Sequence, residues 1–286
     1  MEDGRKWVPL GIRARIESKA MTEILHFTKM EALGNDYIYI DRDRYPSLDY
    51  PAIARRYSDR HTGIGGDGVV TYSRHDAESF EMHIYNKDGS EAEMCGNAIR
   101  CVAKLLHEEG RTEAHSLRIH TGAGLLTVDL LFDEEKEVTG ARVEMGIPEV
   151  IETPEMVEGV EGYVASMGNP HFVILSQEDF PLETKGPLLE QSRRFPEGTN
   201  VEVIRPIDRR TLEMRVWERG SGLTRACGTG ACASAAVAIR LGLALSPVCV
   251  RMPGGDLTIE WSGEETRSLY MTGPATRVFD GTLQLR

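Results

Sequence analysis

One internal echo constrains this chain more than any other feature. Residues 80–86 read FEMHIYN and residues 212–218 read LEMRVWE, an offset of 132. Nine residues after Asn86 stands Cys95, and nine after Glu218 stands Cys227, so the offset holds without a gap. Gly68 faces Asn200 at the same spacing, and Gly34-Asn35-Asp36-Tyr37 answers Gly168-Asn169-Pro170-His171 at 134. A period this long means two homologous halves rather than a solenoid. Halves that face each other across a cleft would present one cysteine each to a shared site. Asn35, Asn86, Asn169, Asn200 and Glu218 would arrive near the same place.

The local pattern agrees with that reading. Tyr37–Ile40 is β-rich, and 81–85 and 213–217 alternate as half-buried strands do. Leu125–Leu131 and Val138–Met145 flank an acidic run at 133–137, which predicts a hairpin. Two helices are predicted, one after Cys95 through Leu106 and one after Cys227 through Leu241, with Gly110 and Gly242 as C-terminal stops.

At 286 residues the chain has room for two such halves, since domains run about 100–200 residues. Its net charge is −12, with no basic cluster, which disfavours nucleic acid and anionic membranes as partners. No apolar run approaches the roughly 20 residues of a membrane span, and no secretory signal pattern opens the chain. We therefore expect a cytoplasmic protein. Residues 1–20 carry +2 and leave −14 for the remainder; we expect 1–22 to be a loose extension, with Met21 an alternative start.

Five cysteines, Cys95, Cys101, Cys227, Cys232 and Cys249, argue against a disulfide framework in such a compartment. None is spaced C-x-x-C, so zinc and thioredoxin patterns are missing. Cys101, Cys232 and Cys249 sit in apolar runs and suit packing. Cys95 and Cys227 each precede Gly and a helix, in Cys95-Gly96-Asn97 and Cys227-Gly228-Thr229. A helix N-terminus has free N–H groups and a positive dipole end, which favour a thiolate and can hold a carboxylate. Two such thiols facing one carbon suit a racemase or epimerase: one removes a proton and the other supplies one on the opposite face. The alternative for either cysteine alone is a buried small side chain.

Other residues admit two readings. Gly63-Ile64-Gly65-Gly66-Asp67-Gly68 matches the dinucleotide pattern, but a polar run precedes it and a strand-like run follows, so a tight turn is the better reading. Glu218-Arg219 could be a solvated pair, although the repeat favours a site. Asn35, Asn169 and Asn200 lie in turn contexts, where Asn also serves the backbone. His171 either orients a thiol or caps a strand.

With these residues assembled, the chain resembles the diaminopimelate epimerases from about Phe27 to about Gly281. FTKMEALGNDYIYID, HTGIGGDGVV, YNKDGSEAEMCGNAIRC, MGNPHF, EGTNVE, ERGSGLTRACGTGACASAA, MPGGDLTIEW and MTGPATRVF carry the likeness. It implies an α+β fold of two similar pseudo-symmetric domains, each a mixed sheet curled around a central helix, with the active site in the cleft between them. The halves would be 23–139 plus 273–286, and 140–272. It implies interconversion of LL- and meso-diaminopimelate, in lysine and peptidoglycan precursor biosynthesis, without cofactor or metal, often by a homodimer. Cys95 and Cys227 match the two bases. Gly96-Asn97 and Gly228-Thr229 match loops that bind the reacting carboxylate. Asn35, Asn86, Asn169, Asn200 and Arg219 match residues that hold the distal end or position the substrate. Glu218 matches a group near the reacting centre and, with His171, a pair that tunes the thiols. Ala98 stands where many members have Gly, and Gly68 where some have a substrate-binding Gln and several have Gly; no binding role is carried onto Gly68. Rival expectations are another two-thiol isomerase such as a proline racemase relative, a metal- or ligand-binding protein, and a non-catalytic interaction protein.

Overall fold

A computed structural model of the chain describes residues 24–285; the expected N-terminal extension and the alternative start at Met21 lie outside the described residues. The first half runs β1 (Ile24–Ala32), β2 (Asn35–Asp41), α1 (Tyr50–Tyr57), β3 (Gly68–Arg74), β4 (Ser79–Asn86), β5 (Glu91–Ala92), α2 (Gly96–Glu108), β6 (Ser116–Thr121), β7 (Gly124–Phe132) and β8 (Val138–Glu144). The second runs β9 (Glu149–Val150), β10 (Glu155–Val157), β11 (Val160–Ser166), β12 (Pro170–Leu175), α3 (Leu182–Glu190), β13 (Asn200–Asp208), β14 (Thr211–Glu218), β15 (Gly222–Thr224), α4 (Gly228–Arg240), β16 (Val248–Met252), β17 (Gly255–Glu260) and β18 (Tyr270–Pro274). A last strand, β19 (Thr276–Gln284), follows. β4 and β14 begin 132 residues apart, and so do α2 and α4, as the echo requires.

The strand ladder is a palindrome. From one end it reads β19, β1, β2, β3, β4, β6, β7, β8. From the other it reads β9, β11, β12, β13, β14, β16, β17, β18. Both arms have parallel pairs at the same two places, β2–β3 and β4–β6 in one, β12–β13 and β14–β16 in the other. The arms meet where β8 pairs antiparallel with β18, Arg142 opposite Thr272. A pseudo-two-fold axis therefore passes through that pairing. The strands that follow cross over: β9 joins β11 of the second arm, and β19 joins β1 of the first.

Each arm curls round one helix. α2 packs against β1, β2, β7 and β8, and α4 packs against β11, β12, β13, β14 and β17. A helix enclosed on nearly all sides is largely apolar all round, with buried Asn97 and Arg100 as the exceptions on α2. Ile99, Cys101, Val102, Ala103, Leu105 and Leu106 on α2 are buried, as are Ala231, Cys232, Ala233, Ala235, Ala236 and Val237 on α4. The alanine-rich face of α4 lets its sheet approach closely. Gly110 and Gly242 both have positive φ, +67° and +69°, just beyond the two helices, where a left-handed residue ends the turn. Cys101 and Cys232 are core residues, as expected; Cys249 is half-buried on β16. None of the described helices is long and apolar enough to cross a membrane.

The β1–β2 hairpin turns on Leu33 and Gly34, with φ of +57° and +80°. Such a two-residue turn needs both central residues left-handed, and leucine adopts that conformation at a cost of about 1–3 kcal/mol. Contact from the second half holds it: a methyl group on Gly254 would lie 2.1 Å from the Leu33 carbonyl oxygen. Gly254 also donates its amide to the Arg225 carbonyl at 2.8 Å. The turn that delivers Asn35 is thus clamped against the opposite half.

Candidate active site

Cys95 and Cys227 are the N-caps of α2 and α4, both extended, with φ, ψ of −142°, 117° and −135°, 117°. The two helix N-termini converge. A methyl group on Gly228 would sit 3.8 Å from Gly96 Cα, and one on Gly96 only 2.6 Å from Met271 Cε. Glycine at both positions lets the first turns approach over the buried side chains of Met271 and Met145. Two sets of free N–H groups and two positive dipole ends therefore face one volume, a site built for an anionic group.

Side chains from both halves surround it. The Cys95 thiol donates to Asn35 Oδ1 at 3.3 Å, and Asn35 Nδ2 donates to Asp67 Oδ2 at 2.7 Å. Asp67 also accepts the Asp36 amide at 3.1 Å. The glycine-rich segment 63–68 is thus a turn that carries Asp67 to Asn35, and β3 rather than a helix follows it. In the second half Gly230 N donates to Cys227 Sγ at 3.4 Å, and the Thr229 hydroxyl lies 3.6 Å from that sulfur. Asn169 Nδ2 donates to Thr229 Oγ1 at 3.4 Å, while Asn169 Oδ1 lies 3.1 Å from His171 Nε2. His171 Nδ1 lies 2.8 Å from Glu202 Oε1, and both residues are fully buried. Glu218 Oε1 accepts from Thr224 Oγ1 at 2.5 Å, and its charge acts on both Cys95 and Cys227.

The remaining expected residues lie further out. Asn200 bonds the Pro170 carbonyl at 3.1 Å and accepts the Arg219 amide at 3.0 Å. Arg219 is exposed and donates to the Glu197 carbonyl at 3.2 Å. Asn86 ends β4 opposite Gly68 and donates to Ser90 Oγ at 3.0 Å; no contact ties it to either thiol among the described residues. Asn97 is buried and accepts from Arg100 Nη2 at 2.7 Å.

One expectation is corrected. The helix N-termini alone would lower both thiol pKa values, yet both are raised. For Cys95, burial dominates; the amides of Ala98 and Asn97 and the Arg100 charge oppose it, and Glu218 adds to it. For Cys227, burial and then the Glu218 and Glu202 carboxylates push the thiol well above its ordinary value, against the Thr229 hydroxyl and Gly230 amide. Desolvation and like charge outweigh the dipole. Glu218 itself is raised, chiefly by burial. Because the thiolate is the nucleophile, iodoacetamide should label either cysteine of the empty site with a midpoint above that of an ordinary thiol. Mass spectrometry across a pH series measures it, and a midpoint near pH 7 would contradict these environments.

Sequence reasoning missed Glu202, Arg100, Tyr37 and Asp67. An acid inside the apolar run Val201-Glu202-Val203-Ile204, and a lone cation inside Ala98-Ile99-Arg100-Cys101-Val102, were the available signals. Arg100 is fully buried and donates to the Pro274 and Gly96 carbonyls at 3.1 and 2.8 Å; no carboxylate pairs with it among the described residues. A group able to hold a metal, His75, Asp76 and His120, lies at the end of β3 away from Gly68 and takes no part in this site.

Known structures share the architecture. A phenazine biosynthesis protein of the PhzF family from Bacillus anthracis matches with a TM-score of 0.71 at 15% identity, covering 92% of this chain and 100% of that one. A hydroxyproline epimerase from Agrobacterium vitis matches with a TM-score of 0.66 at 14% identity, covering 92% and 93%. The doubled sheet, each arm curled round one helix, is the fold class that this chain shares with those proteins. Sequence narrows the class further. The family model for diaminopimelate epimerase matches residues 27–151 and 163–278. The diaminopimelate epimerase of Parabacteroides distasonis is 45% identical over 271 residues, 93% of this chain and all of that protein. That of Methanococcus maripaludis is 43% identical over 279 residues, 91% and 100%. The chain belongs to the diaminopimelate epimerase family.

Proposed function

We propose that this enzyme interconverts LL- and meso-2,6-diaminopimelate, supplying lysine and peptidoglycan precursors, with Cys95 and Cys227 as its two acid–base groups. The observation that carries the reading is the convergence of two Cys-capped helix N-termini, Gly96 against Gly228, at one point on the pseudo-two-fold axis. The substrate α-carboxylate lies between them, held by the Gly96-Asn97 and Gly228-Thr229 amides. One cysteine takes the α-proton and the other delivers a proton to the opposite face. The carbanion is weakly stabilised on its own, so the negative charge that grows on the carboxylate must be met by fixed donors, often the largest contribution in such sites. The arriving α-ammonium, close to Glu218 and the thiols, favours the thiolate that the empty site disfavours. Asn35, Asn86, Asn169, Asn200 and Arg219 hold the remainder of the substrate, and Glu218 and His171 set the thiol environment.

The halves divide, on this reading, at the ends of β8 and β18; the expected bounds at 139/140 and 272/273 fall inside those two strands. The enzyme works in the cytoplasm with neither pyridoxal phosphate nor metal. Proton NMR of LL-diaminopimelate in D2O, with reduced enzyme, EDTA and no pyridoxal phosphate, tests it. Loss of the α-proton signal with growth of the meso form is expected; a folded enzyme that gives neither refutes it.

The enzyme also assembles as a homodimer. Supporting this, β19 pairs with β1 alone among the described strands, so its outer edge is free, and Val278 and Phe279 on it are 53% and 46% exposed. An open apolar edge invites a second copy. Sedimentation should give the dimer mass, and Phe279→Asp should weaken it by about ten-fold or more, a loss of about 1.4 kcal/mol. A monomeric wild type would end this reading.

A further inference from the structure

The pseudo-symmetry exposes an inequality between the two thiols. In the first half, Tyr37, Val70 and Asn86 stand where the second half has His171, Glu202 and Glu218. The two carboxylates and the imidazole therefore gather behind Cys227, while a phenol stands by Cys95. Glu218 acts on both thiols, and more strongly on Cys227. Glu202 adds to it at Cys227. A methyl group on Gly230 would lie 2.7 Å from Glu202 Oε1 and 3.3 Å from Cys227 Sγ, so the carboxylate and the thiol flank the same point. Only glycine at 230 lets them share it. Glu202 Oε1 is bonded to His171, while Oε2 is buried with no partner. A bare, buried carboxylate oxygen is costly to leave unpaired and calls for a use.

We propose that Glu202 is a positioning residue: packed behind Cys227 and tied to His171, it disfavours the thiolate of that cysteine in the empty site, so that Cys227 gives up its proton less readily than Cys95. This rests on the two-base reading above. The groups that face Cys227 are Glu218 on β14, Glu202 on β13, His171 on β12 through Asn169, and the Thr229 hydroxyl and Gly230 amide on α4. Facing Cys95 are Glu218, Arg100, Asn35, the phenols of Tyr37 and Tyr39 on β2, the Cys101 thiol on α2 and the amides of Asn97 and Ala98, with no counterpart of Glu202. Arg100 favours the Cys95 thiolate, and Glu202 disfavours that of Cys227.

The test is the pH midpoint of iodoacetamide labelling at each cysteine, read separately by peptide mass spectrometry; midpoints, unlike absolute rates, do not depend on access. In the wild-type enzyme Cys227 should titrate above Cys95. Glu202→Gln, nearly isosteric, should lower the Cys227 midpoint by about one pH unit, a roughly ten-fold faster labelling at fixed pH, and leave Cys95 unmoved. Equal or reversed wild-type midpoints overturn the proposal whether or not the variant folds. So does a Glu202→Gln variant in which Cys227 stays put or both midpoints move together. Epimerase assays of Cys95→Ala and Cys227→Ala keep the two questions apart. If both are inactive and the midpoints are equal, only this inference fails. If either remains active while the midpoints differ as described, the two-base reading fails and the inequality stands.

Discussion

Replacing Cys95 or Cys227 by alanine should lower epimerisation by at least about 10³-fold in both directions, near the upper range for loss of a positioned acid or base. Both directions fall together because each needs one group to remove a proton and the other to supply one. The single variants should not be equivalent in D2O, however. The remaining cysteine can still exchange the α-proton of the stereoisomer whose hydrogen points at it, without inversion. Following α-proton loss from LL- and meso-diaminopimelate separately therefore assigns each thiol to one face. Near-normal turnover by either variant would eliminate the two-base scheme.

The second large effect concerns stability. Arg100→Leu should lower the melting temperature by about 6–12 °C, from a net loss of about 3 kcal/mol in a chain of this size. Arg100 is fully buried and its guanidinium serves Gly96, Asn97 and Pro274 at once. Removing it strands buried acceptors, each costing about 1–3 kcal/mol, partly offset by no longer burying a charge. It also cuts a tie between the first turn of α2 and the end of β18. Arg100→Lys should not restore it, since an ammonium cannot reproduce the planar fork. A calorimetric melt of Arg100→Leu that coincides with wild type would show that the three bonds contribute little.

Much of this was legible in the sequence because the repeat is written at constant spacing. One offset predicted two strand–loop–Cys–helix units, and β4 and β14, like α2 and α4, follow it. The C-terminal glycines at 110 and 242 were readable because a left-handed residue has few substitutes. The thiol environments were not readable. Helix N-terminal placement is local and shows in Cys-Gly; burial and the charges of Glu202 and Glu218 come from other strands and appear only after folding. Glu202 lies 25 residues before Cys227 on a neighbouring strand, and its partner His171 is 31 residues earlier still. The Leu33 turn was hidden for the same reason, since the Gly254 contact that holds its left-handed backbone comes from the other half.

The crossing of β9 and β19 has a further consequence. Each arm of the sheet is finished by a strand from beyond the other arm's end, so neither half owns a complete edge. In topology the molecule is a swapped dimer written on a single chain, with residues 151–159 as the link that makes the exchange intramolecular. The two cysteines consequently inherit a fixed stoichiometry and a fixed orientation from connectivity alone. Sequence drift in either half can make them chemically unlike without ever separating them.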